Sequence, residues 1–219
     1  MIDSVQEPPE RPSVAAVTDA LGRVLHHRAN VLDLVSPTPG RVLFGVAVTI
    51  RFLPYREDLF QEEVNSFARC FYAAIGNEPQ GKVVVFDSSG YGSTSVGGGT
   101  KLSRLSNTGV AGLITDARLR DFRELAEYEP VFFCAGEAVR AGTAELMPDA
   151  ANVPVVLDGV TVVPGDYVYA DSSGAVIIPA TRFDEVWAAA TEIEANEVAQ
   201  LQSIREENPD DVNVGSREH

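Results

Sequence analysis

The chain has 219 residues and a formal net charge of −15, from 17 basic against 32 acidic side chains. Its length favours a single domain, and its hydrophobic content of 45% is ordinary for a globular protein with a buried core. Because so acidic a surface repels phosphates and anionic lipids, we expect neither a nucleic acid nor a membrane as a partner.

The sequence favours a cytoplasmic protein. No apolar run approaches the roughly 20 residues that span a bilayer, and the acidic, proline-rich first residues differ from a signal peptide. Cys70 and Cys134 stand alone, without a CxxC pattern or an adjacent histidine. We therefore expect both thiols to be buried, small apolar groups of a reduced protein.

The hydrophobic pattern predicts one α/β domain over residues 13–205, between a mobile lead-in at residues 1–12 and an acidic tail at residues 206–219. In chain order, the predicted elements are a helix over 13–27, a strand over 42–50, a helix over 63–75, a strand over 82–87, a helix over 98–107, strands over 112–115 and 131–134, closely spaced antiparallel or mixed strands over 153–179, and a final helix from Thr181.

The middle of the chain is the most informative part. Two buried strands that end at Asp87 and Asp116 are joined by a helix, so they are expected to lie parallel. Ligands bind beyond the carboxyl ends of such strands. Here a glycine-rich loop opens a helix whose free amides suit a small anion. Arg120 can grip the same anion, and Asp121 is an oxygen ligand suited to Mg²⁺ or Mn²⁺.

Other chemical motifs are incomplete. GYGSTS, over residues 90–95, lacks the third glycine of a dinucleotide fingerprint, and GGGTKLS, over residues 97–103, lacks the adjacent Gly-Lys pair of a P-loop. GSTSV, over residues 92–96, fails the pattern of a nucleophile elbow because it ends in valine. His26 and His27 are neighbours on a predicted helix, so their side chains diverge and are not expected to chelate a metal together.

The stretch GGTKLSRLSNTGVAGLITDARLRD, over residues 98–121, resembles the signature of the RraA-like family. That family includes the regulators of ribonuclease activity A and the 4-hydroxy-4-methyl-2-oxoglutarate (HMG/CHA) aldolases. VTDALGR at 17–23, FGVAVTIR at 44–51 and the paired strands of 152–179 are similar to further parts of the family sequence. The resemblance therefore covers most of the chain.

The resemblance implies an α/β/β/α sandwich of the swivelling-domain type. It also implies a homotrimer or homohexamer with the site between subunits. Arg120 would bind the substrate's carboxylate or carbonyl oxygen, and Asp121 would hold a divalent metal, Mg or Mn, partly through waters. The implied substrate-binding residues are Gly98, Gly99, Thr100, Lys101 and Arg120.

The function implied by the resemblance is that of a divalent-metal-dependent lyase. It would form a pyruvate enolate from a small 2-oxo acid, by retro-aldol cleavage of 4-hydroxy-2-oxo diacids or by decarboxylation of oxaloacetate. Arg120 and the metal, its Lewis acid, would stabilise the developing negative charge. Two alternatives stay open. One is a non-catalytic regulator that binds and inhibits an endoribonuclease, and the other is a family enzyme with a different, pathway-specific substrate.

The chain departs from the family pattern at three positions. The aldolases usually have an acidic residue where this chain has Gly99, and a glycine where it has Ala117. Lys101 replaces a commonly apolar residue, which favours a more anionic substrate. Glu194 or Glu197 of a neighbouring subunit is a candidate replacement for the acid that is absent at Gly99.

Overall fold

The computed structural model describes residues 11–142 and 144–207. Its helices are α1 (Val14–Val24), α2 (Glu62–Asn65), α3 (Phe67–Ile75), α4 (Gly99–Thr108), α5 (Phe122–Leu125) and α6 (Phe183–Arg205). Its strands are β1 (Asn30–Val31), β2 (Leu43–Pro54), β3 (Lys82–Asp87), β4 (Ser95–Gly97), β5 (Gly112–Thr115), β6 (Arg118–Leu119), β7 (Val131–Phe133), β8 (Gly136–Glu137), β9 (Leu146–Ala151), β10 (Val155–Leu157), β11 (Val160–Val162), β12 (Tyr167–Asp171) and β13 (Gly174–Ile178).

The central sheet has eight strands. Seven follow the order β1-β13-β12-β2-β3-β5-β7, and β9 pairs with the C-terminal half of β2. Strands β2, β3, β5 and β7 are parallel neighbours, whereas β12, β13 and β1 are antiparallel. The predicted parallel pair at residues 82–87 and 112–115 is confirmed. The predicted antiparallel pairing within residues 153–179 is confirmed as well.

Side chains of the central strands alternate between two faces of the sheet. Phe86 of β3 and Leu113 of β5 pack with α3 and α4 on one face. At the other end of that face, Tyr169 of β12 packs with α1 and α6. Val85 and Ile114 point to the opposite face and pack against the β10–β11 hairpin. A mixed α/β fold with helices layered on a central sheet is therefore confirmed.

A small second sheet positions the site. Strands β4, β6 and β8 pair in parallel, and they follow β3, β5 and β7 along the chain. Each of β3, β5 and β7 is thus followed by a short strand beyond its carboxyl end. None of the three short strands was predicted, because two or three residues carry no measurable periodicity.

The helix predicted over residues 63–75 is in fact two helices, α2 and α3. Ser66 separates them in an extended conformation, with φ −71° and ψ 140°. The cause lies in the neighbouring side chain. Asn65 donates from Nδ2 to the Pro148 carbonyl (2.8 Å) and accepts from the Gln61 backbone N–H at Oδ1 (3.0 Å). Strand β9, which provides Pro148, was not predicted.

Other boundaries also differ from the prediction. Helix α1 ends at Val24, and α6 begins at Phe183 after a 3₁₀ turn over Ala180–Arg182. Pro12, assigned to the lead-in, is buried, and its carbonyl accepts a hydrogen bond from the Tyr169 hydroxyl (2.8 Å). The end of the expected lead-in, at Pro12, is therefore packed against the domain. Residues 1–10 of that lead-in and 208–219 of the tail lie outside the described residues.

Two further expectations concern the cysteines and the membrane. Cys70 and Cys134 are buried and free, as predicted. Burial raises the pKa of the Cys134 thiol to about 11 and also raises the pKa of Cys70. Across the described residues, every helix is too short or too polar to cross a bilayer.

Gly112, at the start of β5, offers a test of the sheet packing. A Cβ there would overlap the Val131 carbonyl oxygen and lie 2.6 Å from Leu43 Cδ1. Gly112→Ala is expected to lower the free energy of unfolding by about 1–3 kcal/mol, because β5 and β7 must separate. The matched control is Gly22→Ala in α1, where a Cβ meets nothing within 4 Å.

Gly22→Ala should be neutral or stabilising by up to about 1 kcal/mol, because alanine favours the helix. Urea unfolding followed by circular dichroism measures both variants. Equal unfolding midpoints for the two alanine variants would contradict the packing described for β5.

Candidate functional site

A cavity of about 240 Å³, called the first cavity below, lies where β4 and β6 meet the start of α4. Its lining residues are Ser95, Gly97, Gly98, Thr100, Lys101, Arg120, Asp121, Ala141 and Gly142. The structure therefore brings together all the site residues predicted from the sequence except Gly99, which does not line the cavity.

Pairing of the short strands creates this arrangement. The Arg120 backbone N–H donates to the Gly97 carbonyl (2.9 Å), which fixes β6 and the following turn against β4. Among the described residues, the Arg120 guanidinium has no hydrogen-bond or ion-pair partner. Its donors are therefore available to an oxygen of a bound anion.

Asp121 caps helix α4 from a different segment of the chain. Its Oδ2 atom accepts a hydrogen bond from the Gly99 backbone N–H (3.0 Å). Gly99 is one of the predicted substrate-binding residues, and in this structure its amide has the Asp121 carboxylate as its partner. The first-turn amides of Thr100 and Lys101 have no carbonyl partner within the helix, so they suit a ligand anion.

The backbone of Asp121 is left-handed, with φ 61° and ψ 44°. Few residues other than glycine adopt this conformation, although aspartate tolerates it better than most. The conformation places Asp121 at the N-cap of α5, next to Arg120. Such local strain persists only where surrounding contacts hold it, and here the contact is the bond to Gly99.

Lys101 contributes a second cation to the first cavity. Its Nζ atom lies 4.9 Å from the centre of the Phe67 ring and 3.4 Å from the Val96 carbonyl oxygen. Burial, and secondarily the charge of Arg104, lowers the pKa of Lys101. An anion in the cavity would favour the charged form of this amine.

Glu124 is a carboxylate beside the start of α4 that the sequence did not reveal; it lies outside the lining of the first cavity. A Cβ built on Gly99 would overlap the Glu124 carboxylate, so this carboxylate occupies the place of a side chain at residue 99. The Tyr128 hydroxyl lies 2.8 Å from Glu124 Oε1 and 3.2 Å from the Gly99 carbonyl oxygen. Burial and the neighbouring Glu124 raise the pKa of Tyr128. The available signal was spacing, since Asp121, Glu124 and Tyr128 follow each other at helical intervals.

Asp87 and Asp116, at the strand ends, accept hydrogen bonds from backbone N–H groups. Neither lines the first cavity. Asp87 accepts from the backbone N–H groups of Ser89 (2.7 Å) and Val156 (3.1 Å), and Asp116 accepts from that of Ser88 (3.0 Å). Burial raises the pKa of Asp116. These carboxylates shape the start of the glycine-rich loop.

The two glutamates proposed as replacements from a neighbouring subunit differ in their surroundings. Glu194 accepts bonds from Ser13 at its backbone N–H (3.1 Å) and its hydroxyl (2.7 Å), so its carboxylate already serves its own chain. Glu197 is exposed on α6. Glu194 is therefore a poor candidate for a neighbouring site.

The donor set for a metal is small. Within residues 11–142 and 144–207, no three His, Cys, Asp or Glu side chains are grouped to hold a metal ion. Asp121 is the single carboxylate among the described residues of the first cavity. Because Mg²⁺ typically takes one or two carboxylates and completes its shell with waters and substrate oxygens, Asp121 in an open cavity fits such an ion.

Comparisons with known proteins agree with this architecture. A sequence profile of the family described as "RraA-like: Aldolase/RraA" matches residues 14–177. Protein DlpA of Legionella pneumophila is 25% identical over 174 residues, which cover 78% of this chain and 27% of DlpA. A Halalkalibacterium halodurans protein named "Putative 4-hydroxy-4-methyl-2-oxoglutarate aldolase" is 28% identical over 124 residues, which cover 57% of this chain and 59% of that protein. The chain thus matches only part of the length of each relative.

A solved structure extends the similarity to the whole fold. RraAS2 of Streptomyces coelicolor, described as an unusual member of the RNase ES inhibitor RraA protein family, is 26% identical and has a TM-score of 0.73. The match covers 88% of this chain and 93% of RraAS2. On the profile match and this shared fold, the chain belongs to the RraA-like family.

Proposed function

We propose that the chain is a divalent-metal-dependent lyase that forms a pyruvate enolate from a small 2-oxo acid. The observation that carries this proposal is the convergence of Arg120, Asp121 and the free end of α4 on one cavity. Relatives named as aldolases support the reaction class. Retro-aldol cleavage of a 4-hydroxy-2-oxo acid and decarboxylation of oxaloacetate both leave the same enolate, so both reactions suit the site.

The carboxylate of the substrate binds at the start of α4. There the amides of Thr100 and Lys101 and the Lys101 ammonium group provide donors and positive charge. Arg120 donates to the 2-oxo oxygen. Its charge stabilises the negative charge that develops on this oxygen as the carbon–carbon bond breaks.

Asp121 would hold Mg²⁺ or Mn²⁺. When bound, the ion supplies Lewis-acid polarisation of the 2-oxo group. The Gly99 N–H bond occupies Oδ2 and orients the carboxylate, which leaves the other oxygen as the metal ligand.

Glu124 compensates for the acidic side chain that is absent at Gly99. Its carboxylate lies in that side chain's place, anchored by the Tyr128 hydroxyl. In this mechanism Glu124 positions the water that takes a proton from the 4-hydroxyl oxygen and delivers one to C3. Through this water, the Glu124 carboxylate can accept the proton of the 4-hydroxyl group and return a proton to C3 of the enolate.

The proposed assembly is a homotrimer or homohexamer with the site between subunits. Glu197, exposed on α6, is the residue we propose to approach the site of a neighbouring subunit.

A second candidate function is that of a non-catalytic regulator that binds an endoribonuclease. Similarity to RraAS2, described as a member of an RNase inhibitor family, favours it. The net charge of −15 would complement a basic RNA-binding surface. Absence of pyruvate formation with any 2-oxo acid and metal, together with capture of a ribonuclease, would favour this function over the lyase.

Arg120→Ala and Asp121→Ala test the proposed lyase. Each variant is expected to lower pyruvate release from oxaloacetate, with Mg²⁺ or Mn²⁺ present, by at least about 100-fold. Arg120→Ala loses the positive charge that stabilises the enolate, and Asp121→Ala loses the carboxylate that would hold the metal. Coupled lactate dehydrogenase measures the rate. The control is Arg123→Ala, an exposed arginine on the neighbouring helix α5 that should retain the wild-type rate. Wild-type rates in both site variants would contradict the assignment.

Exchange of carboxylates between positions 99 and 124 tests the role of Glu124. Glu124→Ala should lower kcat about 10- to 100-fold with little change in KM, because a proton carrier is lost. Gly99→Glu alone should also be impaired by overlap with Glu124. The double variant Gly99→Glu, Glu124→Ala should recover activity above either single variant.

The control for the exchange is Glu127→Ala, which removes an exposed carboxylate three residues after Glu124. Its activity should match that of the wild type. The split between kcat and KM separates a proton carrier from a purely structural contact, since loss of a proton carrier lowers kcat and leaves KM little changed. A double variant no better than Gly99→Glu would overturn the role of Glu124.

A further inference from the structure

A second cavity of about 510 Å³ adjoins the first. The two cavities share Ser95, Lys101 and Gly142 in their walls. We propose that the second cavity is the subsite for an aromatic or bulky apolar group on C4 of the substrate. This inference rests on the proposed lyase function, and it names the substrates as 4-aryl or branched 4-alkyl 4-hydroxy-2-oxo acids instead of compact diacids.

The walls of the second cavity are aromatic and aliphatic. Phe52, Tyr55, Phe60 and Phe67 contribute rings, and Leu146 and Met147 contribute buried aliphatic side chains. The Tyr55 and Phe60 rings pack against each other, with 5.6 Å between their centres. A cavity of about 150 Å³ is enough to bind benzene when its walls are apolar, so a phenyl ring fits the second cavity with room to spare.

The charges around the second cavity disfavour a second carboxylate. Glu62 and Lys101 are the charged residues among its described lining, and Glu62 would repel an anion. Lys101 lines both cavities, so its ammonium group is already required by the head carboxylate in the first. The Lys101 ammonium group also contacts the Phe67 ring, at 4.9 Å from its centre.

Two polar side chains in the second cavity, Asn65 and Ser95, are already bonded to the protein. The Asn65 amide donates to the Pro148 carbonyl and accepts from the Gln61 N–H. The Ser95 hydroxyl donates to the Gly97 carbonyl (2.9 Å). A polar tail would have to compete with these two existing bonds, whereas an apolar tail would not.

The shared wall keeps the two cavities adjacent. Gly142 donates its N–H to the Ser95 carbonyl (3.1 Å), and a Cβ at Gly142 would overlap both this carbonyl oxygen and the Thr94 methyl group. With the 2-oxo acid head in the first cavity, the substituent on C4 extends past this wall. Cleavage breaks the C3–C4 bond, and its electron pair goes to the pyruvate enolate. The 4-hydroxyl proton goes to the water positioned by Glu124. An aryl aldehyde leaves, and C3 gains one proton.

Binding of 2-oxo-4-phenylbutanoate tests the subsite without turnover, because this compound has no 4-hydroxyl group to support cleavage. Calorimetry with full-length protein and Mg²⁺ should show at least about 10-fold tighter binding than for 2-oxobutanoate, in line with what an apolar pocket gains from extra carbon atoms. Ala144→Trp, at an exposed position that lines the second cavity and not the first, should abolish this gain. Ala188→Trp, exposed on α6, is the matched control and should retain it.

Turnover provides the second measurement. Pyruvate release from 4-hydroxy-2-oxo-4-phenylbutanoate should exceed that from 4-hydroxy-2-oxopentanoate by at least about 10-fold in kcat/KM. Ala144→Trp should lower the phenyl rate and spare oxaloacetate decarboxylation.

The outcomes separate the subsite from the lyase function. If oxaloacetate is decarboxylated but the phenyl compound binds no better than 2-oxobutanoate, the subsite is wrong and the lyase stands. If the phenyl gain is present and sensitive to Ala144→Trp but no 2-oxo acid is cleaved, the subsite stands and the lyase is wrong. If Ala144→Trp dissociates an oligomer and the phenyl gain is absent, the second cavity is a contact between subunits and the inference is overturned.

Discussion

The hydrogen bond from the Gly99 N–H to the Asp121 carboxylate is the contact on which the site depends. It joins the start of α4 to the turn between β6 and α5, which are far apart in the sequence but follow adjacent parallel strands. A carboxylate at a helix N-terminus is favoured by the free amides and by the helix dipole. The bond also supports the left-handed backbone of Asp121, the residue next to Arg120.

This contact explains the two glycines at the start of α4. A Cβ at Gly98 would lie 2.5 Å from Asp121 Oδ2, so a side chain there would displace the carboxylate. At Gly99 the Glu124 carboxylate fills the space of a side chain. In this chain the carboxylate next to residue 99 comes from α5. Two carboxylates, Asp121 and Glu124, still flank the helix start.

The sequence predicted the part of the fold that periodicity and topology determine. Apolar runs at residues 82–87 and 112–115, joined by a helix, imply parallel strands whose ends share one edge, and the structure brings Arg120 and Asp121 to that edge beside Gly98. Strands β4, β6 and β8 were missed because they are too short to show a pattern. The break at Ser66 was missed because it depends on Asn65 bonding to Pro148, a contact across 83 residues.

The same physical limit applies to the side chains of the site. An exposed glutamate on a four-residue helix carries no signal of its own, so Glu124 emerged only from the space that Gly99 leaves. Glu194 was a reasonable candidate by composition, yet a bond to Ser13, 181 residues away in sequence, commits it elsewhere. Sequence patterns indicate which segments meet; the available donors and acceptors follow from the packed structure.

The central claim is that Asp121 and the start of α4 bind a divalent cation and a 2-oxo acid together. Calorimetry of Mn²⁺ with and without oxalate, a stable analogue of the enolate, measures this coupling directly. We predict that oxalate tightens Mn²⁺ binding by about 10-fold or more, and that Asp121→Asn abolishes Mn²⁺ binding in either condition. Equal Mn²⁺ affinity in Asp121→Asn, or Mn²⁺ binding that oxalate leaves unchanged, would contradict the account.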